Sequence, residues 1–180
     1  VSLFSDGSCL NNPGPGGWAY ILEFGIHGKN ASGAVPNTTN NQMELLAVIN
    51  GLKALKEPCC VNLYTDSSYA ANGINIWLEG WKKKGYKNVK NVELWQELDS
   101  LIQTHQVKAH WIKAHAGHPQ NELCDKLARE AATKLFKSDV KKHIDAIKTK
   151  YIVPGVTSSE AIMFLPAEAI FAEINAYHQD

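Results

Sequence analysis

The chain has 180 residues, 44% of them hydrophobic and 20% charged, with 18 Lys plus Arg against 18 Asp plus Glu. That composition suits one sizeable globular core and excludes a chain disordered throughout. A formal net charge of zero excludes a surface that coats nucleic acid by positive charge everywhere, while leaving room for a local basic patch.

Val1 to Ser8 alternates apolar and polar residues, as a strand does, and runs into the turn-forming cluster Asn11-Asn12-Pro13-Gly14-Pro15-Gly16-Gly17. Trp18 to Phe24 is rich in aromatic and aliphatic residues, Gly25 interrupts it, and His27 to Val35 is extended in style before Pro36, so a three-strand antiparallel meander is expected. From Asn40 the period changes: Leu45, Val48, Ile49, Leu52 and Leu55 recur at three- and four-residue spacing up to Pro58, which is an amphipathic helix with Thr38, Thr39 or Asn40 free to cap it. Cys60 to Thr65 reads as a short strand ending at Asp66, and Ser67-Ser68 opens a helical stretch toward Trp77. Between Gly80 and Asn91, five lysines alternate with Trp81 and Tyr86. Val92 to Thr104 reads as a helix, Val107 to Ile112 as a strand, Lys113 to Pro119 as a loop, and Gln120 to Phe136 as a helix with a stripe of Leu123, Leu127, Ala131 and Leu135. Ser138 to Lys150 reads as a separate lysine-rich helix, Ala161 to Leu165 as a strand, and Pro166 to His178 as a helix. The expected order through the first 136 residues is βββαβααβα, an α/β class, and 137–180 are too few to bury a core of their own.

No apolar run approaches the roughly 20 residues that span a bilayer. Val1 to Asp6 lacks the basic and long apolar regions of a secretory signal, so a cytoplasmic protein with no membrane association is expected. Cys9, Cys59, Cys60 and Cys124 form no C-x-x-C pair and are too sparse for a disulfide scaffold or a tetrahedral zinc site; free thiols are expected.

Three carboxylates stand at element boundaries: Asp6 late in the first strand, Glu44 early in the first helix and Asp66 just past the fourth strand, with Asp125 on the helix that follows Pro119. If the first and fourth strands are neighbours, Asp6 and Asp66 meet at their carboxyl ends, where open α/β sheets bind ligands. Four carboxylates gathered there repel one another unless cations neutralise them, and the chemistry that uses such a cluster is Mg²⁺ binding, two ions about 4 Å apart on a phosphodiester. Taken singly, each carboxylate has a plainer reading: a turn at Asp6-Gly7, a cap at Asp66, solvated helix charges at Glu44 and Asp125. Spacing alone does not choose between them.

The words around these residues do. Asp6-Gly7-Ser8 with Asn12-Pro13-Gly14-Pro15-Gly16-Gly17, Thr38-Thr39-Asn40-Asn41-Gln42-Met43-Glu44-Leu45, Tyr64-Thr65-Asp66-Ser67, and Trp111-Ile112-Lys113-Ala114-His115-Ala116-Gly117-His118 with Asn121-Glu122 and Cys124-Asp125 together resemble the bacterial ribonuclease HI family, in order, from Val1 to about Leu135. The resemblance implies the ribonuclease H-like fold, a five-stranded mixed sheet flanked by helices, here with a short α/β C-terminal extension. It implies an endonuclease that cuts the RNA strand of RNA/DNA hybrids by a two-metal mechanism, giving 5′-phosphate and 3′-hydroxyl ends, and acting as a monomer. It makes Asp6, Glu44, Asp66 and Asp125 the ligands of two Mg²⁺ ions, with Mn²⁺ as a substitute, and His115 the catalytic histidine.

By the same resemblance, Asn12, Asn41 and Gln42 reach the minor groove of the hybrid, where 2′-hydroxyls mark the RNA strand. Thr39 holds a DNA-strand phosphate, and the run from Trp81 through Lys82, Lys83 and Lys84 to Lys90 grips the DNA backbone. Ala114, Leu123 and Gln42 depart from the glycine, arginine and arginine more common in the family, and the basic run is short. In the tail, Val140-Lys141-Lys142-His143-Ile144, Lys150 to Thr157 and Ile162 to Glu168 resemble part of the RmuC family without its Asp-x-Lys-type nuclease signature. The expected division is a ribonuclease H domain at 1–136 and an RmuC-like fragment at 137–180 that is not an independent domain.

Overall fold

The computed structural model describes residues 1–150, with the backbone only at 147 and 148; the strand and helix expected beyond Lys150 lie outside the described residues. Five strands, β1 (Ser2–Cys9), β2 (Gly14–Phe24), β3 (His27–Thr38), β4 (Cys60–Thr65) and β5 (Gln106–Trp111), form one sheet in the order β3-β2-β1-β4-β5. The meander β1-β2-β3 is antiparallel, whereas β4 pairs parallel with both β1 and β5, so the sheet is mixed.

Helix α1 (Asn40–Lys53) crosses one face, and its expected stripe is the core: Leu45, Val48, Ile49 and Leu52 are fully buried against Leu3 of β1 and Leu63 of β4. Thr39 is the residue that caps it. The Thr39 hydroxyl accepts from Gln42 N at 3.3 Å and Thr39 N donates to Gln42 Oε1 at 3.2 Å, so two helix-end donors are satisfied reciprocally. The helical stretch expected to stop near Trp77 instead continues: α2 (Ser68–Asn72) passes through a π-helical turn (Gly73–Trp77) into α3 (Leu78–Lys83). The start of the basic run, Trp81 to Lys83, is therefore helical, because Leu78 and Trp81 have apolar partners to cover. Helix α4 (Val92–Thr104) then buries Trp95 and Leu98 completely.

Two further expectations are corrected. The strand β2 begins at Gly14, inside the cluster read as a loop, and α5 (Pro119–Lys150) is one helix where two were expected. Its buried face is Cys124, Ala128 and Ala132; Leu123 is exposed and Leu127 only half-buried. One contact explains why the first half of α5 buries alanines and why glycine stands on β2 opposite it. A Cβ at Gly17 would come to 2.0 Å from the carbonyl oxygen of Ala128, so strand and helix touch backbone to backbone, which a stripe of leucines would prevent. The chain divides into two compact units, Val1–Leu135 and Phe136–Asp180.

Candidate active site

The parallel pairing of β1 with β4 sets Phe4 opposite Tyr64, with their rings stacked at 5.2 Å. Two residues further along, on the same side of the pleat, come Asp6 and Asp66. Glu44 reaches them because α1 presses on β1 at Gly7. A Cβ there would lie 2.3 Å from Glu44 N and 2.4 Å from the Met43 carbonyl carbon, so only glycine allows that approach. Asp6-Gly7 is thus a close-packing device within a strand that runs on to Cys9, and the turn reading fails. Carboxylate oxygens of Asp6, Glu44 and Asp66 all lie within 4.8 Å of one another.

Burial and neighbouring carboxylates raise all three acids of this trio. Asp6 is raised from 3.8 to about 7, first by burial and then by the charges of Asp66 and Asp125, although its Oδ1 accepts from Gly7 N at 2.8 Å. Glu44 is pushed well above the ordinary carboxylate range by burial and by Asp6 and Asp66, and its Oε2 is buried with no hydrogen-bond partner. Asp66 is raised as well, by burial above all; the charge of Asp125 adds to this and that of His115 opposes it. A buried oxygen without a hydrogen-bond partner, close to two further carboxylates raised by burial, is an arrangement a divalent cation satisfies with oxygen ligands.

Asp125 stands outside the 4.8 Å set and forms an ion pair with Arg129, one turn along α5. It still faces the trio, since its charge raises both Asp6 and Asp66. Asp66, His115, Asn121 and Asp125 line one small cleft together with Ile112 and Lys113. His115 has a left-handed backbone (φ 52°), followed by Gly117 at φ 82°, and this tight loop carries the imidazole over the carboxyl end of β4.

Residues expected to touch substrate divide into two groups. Around the start of α1, Asn41 is exposed, Asn12 Oδ1 accepts from Asn40 N at 3.0 Å, and Thr39 is occupied as the cap. Gln42 is turned inward: its Oε1 accepts from the Thr38 hydroxyl at 2.9 Å, and its Nε2 donates to Asn91 Oδ1 at 3.2 Å. Asn91 Nδ2 in turn donates to the Tyr69 hydroxyl, which also accepts from Trp95 Nε1 at 2.8 Å. Sequence reasoning assigned Asn91 no role; the available signal was an asparagine directly ahead of a helix, where a left-handed φ of 57° is tolerable. The second group is the basic run. Trp81 is half-buried, edge-on to Trp95 at 5.1 Å, and Lys82 bridges Asp99 at 3.0 Å and Glu79 at 3.4 Å, while Lys83 and Lys84 are exposed.

The RNase H family model matches residues 1–133. Ribonuclease H of Campylobacter curvus is 66% identical over 139 residues, covering 74% of this chain and 93% of that protein, and ribonuclease HI of Campylobacter jejuni is 54% identical over 143 residues, covering 79% and 98%. Among solved structures, LC9-RNase H1, described as a type 1 RNase H with the type 2 active-site motif, superposes with a TM-score of 0.69 at 32% identity, over 74% of this chain and 72% of that one. A second family model, RmuC, matches residues 117–180 and overlaps the first along α5. The chain belongs to the ribonuclease H family and is a hydrolase of that family.

Proposed function

We propose that this enzyme cuts the RNA strand of RNA/DNA hybrids endonucleolytically, leaving 5′-phosphate and 3′-hydroxyl ends, as a cytoplasmic monomer with residues 1–136 as its catalytic domain. The observation that carries the reading is the carboxylate trio Asp6, Glu44 and Asp66, gathered within 4.8 Å, with Asp6 and Glu44 raised by burial and by their neighbours. Among the described residues no helix is long and apolar enough to cross a membrane.

Asp6, Glu44, Asp66 and Asp125 are the residues that would hold two Mg²⁺ ions, or Mn²⁺ in their place. Bound there, the ions supply Lewis acidity for an attacking water and for the leaving 3′ oxygen. Asp6 feels the charge of both Asp66 and Asp125 and lies within 4.8 Å of Glu44, so it would share an ion with its neighbours. His115, which lines the same cleft as Asp66, takes or delivers a proton at a ring nitrogen. Asn12 and Asn41 read the minor groove, Thr39 caps α1 and keeps its hydroxyl proton to donate to a DNA-strand phosphate, and Gln42 keeps the start of α1 in shape for these contacts. Lys83 and Lys84, with Lys82 and Trp81 fixing their helix, hold the DNA-strand backbone.

The test is the full chain on a uniform hybrid, a DNA duplex of the same sequence and an RNA duplex, each in Mg²⁺, in Mn²⁺ and in EDTA, with end mapping. The expected result is metal-dependent cutting of RNA in the hybrid alone, with 5′-phosphate products. Equal cutting of the DNA duplex, or turnover persisting in EDTA, overturns it.

A further inference from the structure

Three successive main-chain carbonyls at the end of β4 are each gripped from a different place. Tyr64 O accepts from Asn121 Nδ2 of α5 at 3.1 Å, Thr65 O from Ile112 N beyond β5 at 2.9 Å, and Asp66 O from the indole Nε1 of Trp111 at 2.9 Å. The turn just past them is held too, since the Thr65 hydroxyl accepts from Ser67 N at 3.1 Å. Strand pairing accounts for the middle contact. The outer two are side-chain contacts, one on Asp66 itself and one two residues before it, and Asp66 is the carboxylate of the trio that lies beyond the end of its strand.

Asn121 and Trp111 look like poor investments for stability alone. Trp111 is 56% exposed, so its large ring buries little, and Asn121 keeps a buried Oδ1 with no partner while it spends its amide on Tyr64. Both costs are coherent if the return is a fixed Asp66. A terminal residue of a strand has a neighbour on one side only, and an unpaired carbonyl there lets the peptide plane rock and swing the following side chain.

We propose that Asn121 and Trp111 are positioning residues that act through the β4 main chain to hold the Asp66 carboxylate against Asp6. The inference rests on the reading of Asp66 as a metal ligand. It also gives α5 and β5 a task at the site besides Asp125 and His115. Displacing a ligand by about 1 Å costs as much as a hundredfold in rate, whereas overall folding depends on the core around α1, of which neither residue is a member.

The experiment uses the full chain with Trp111→Phe, which keeps a ring and removes the N–H, Asn121→Leu, which keeps the bulk and removes the amide, and Asp66→Asn as reference. Each is measured for kcat and KM on a hybrid, for half-saturating Mg²⁺, and for the rise in unfolding temperature on adding Mg²⁺ without substrate. For both positioning variants we expect kcat about tenfold lower with KM within about twofold, half-saturating Mg²⁺ severalfold higher, and a smaller Mg²⁺-induced rise in unfolding temperature. Adding either change to Asp66→Asn should not reduce that rise further. Unchanged kcat and Mg²⁺ response in both folded variants, or additivity with Asp66→Asn, overturns the positioning role. Full activity of Asp66→Asn overturns the underlying assignment instead, so the two failures are distinct.

Discussion

Asp6 and Glu44 hold carboxylate oxygens within 4.8 Å of each other in the least exposed part of the site, 7% and 9% exposed respectively. Both are raised by that burial, Asp6 to about 7 from 3.8. The sign matters for stability. A raised acid binds more protons folded than unfolded, so the metal-free protein loses stability as pH climbs from about 3.8 through 7 and levels off above. In EDTA at pH 8, Asp6→Asn should therefore unfold a few degrees higher than the parent, corresponding to a few kcal/mol at most. The same variant should lose turnover by orders of magnitude with hybrid binding largely intact. Calorimetry in EDTA across pH 5 to 8 checks the first half; a variant that melts lower than the parent at pH 8 sinks it.

His115→Ala should slow the reaction without abolishing it. A proton-handling side chain contributes on the order of 10² to 10⁴ in rate, and the carboxylates remain in place. The loss should fall on kcat and leave KM near that of the parent. A parent-like kcat would leave His115 only its loop role at φ 52°.

The lysines of the basic run should separate. Lys82 spends its charge on Asp99 and Glu79, so Lys82→Ala should chiefly loosen α3 against α4. Exposed Lys83 and Lys84 should each lower the log–log salt slope of hybrid binding by about one unit at most when changed to Ala. Titrations of binding against NaCl for the single and double variants decide this; a larger slope change in Lys82→Ala than in the double variant contradicts it.

Asn75 closes the free edge of β5: its Nδ2 donates to Ala109 O at 2.8 Å and its Oδ1 accepts from Ala109 N at 3.2 Å, as a neighbouring strand would. Asn75→Ala leaves a part-buried donor and acceptor unmatched and should cost about 1–3 kcal/mol in urea unfolding. Turnover at saturating substrate should stay near that of the parent, since Asn75 lies on the edge away from the carboxylates.

A chain ending at Leu135 should fold and cut hybrids at least as fast as the whole. Among the described residues, the buried core ends at Ala132 and every proposed ligand precedes it. Loss of cutting in a truncated protein with native circular dichroism would assign part of the site to 136–180.

Local pattern was enough wherever local physics decides. The period of Leu45, Val48, Ile49 and Leu52 marks α1 because a helix repeats its buried face every three to four residues, and Cys60–Thr65 is bounded by the residues that start and stop it. The words around Asp6, Glu44, Asp66 and Asp125 carried the family, and hence the chemistry to look for. What the sequence could not contain is who comes close to whom. Gly14–Gly17 reads as loop until Ala128 meets the backbone of β2 at Gly17, where no side chain fits, and α5 hides its alanines while exposing Leu123 for the same reason. Asp125 belongs to the charge field of the trio yet pairs with Arg129, and Gln42 turns toward Asn91, 49 residues away. These are long-range contacts, set by how the sheet and helices stack, and no window of neighbouring residues encodes them.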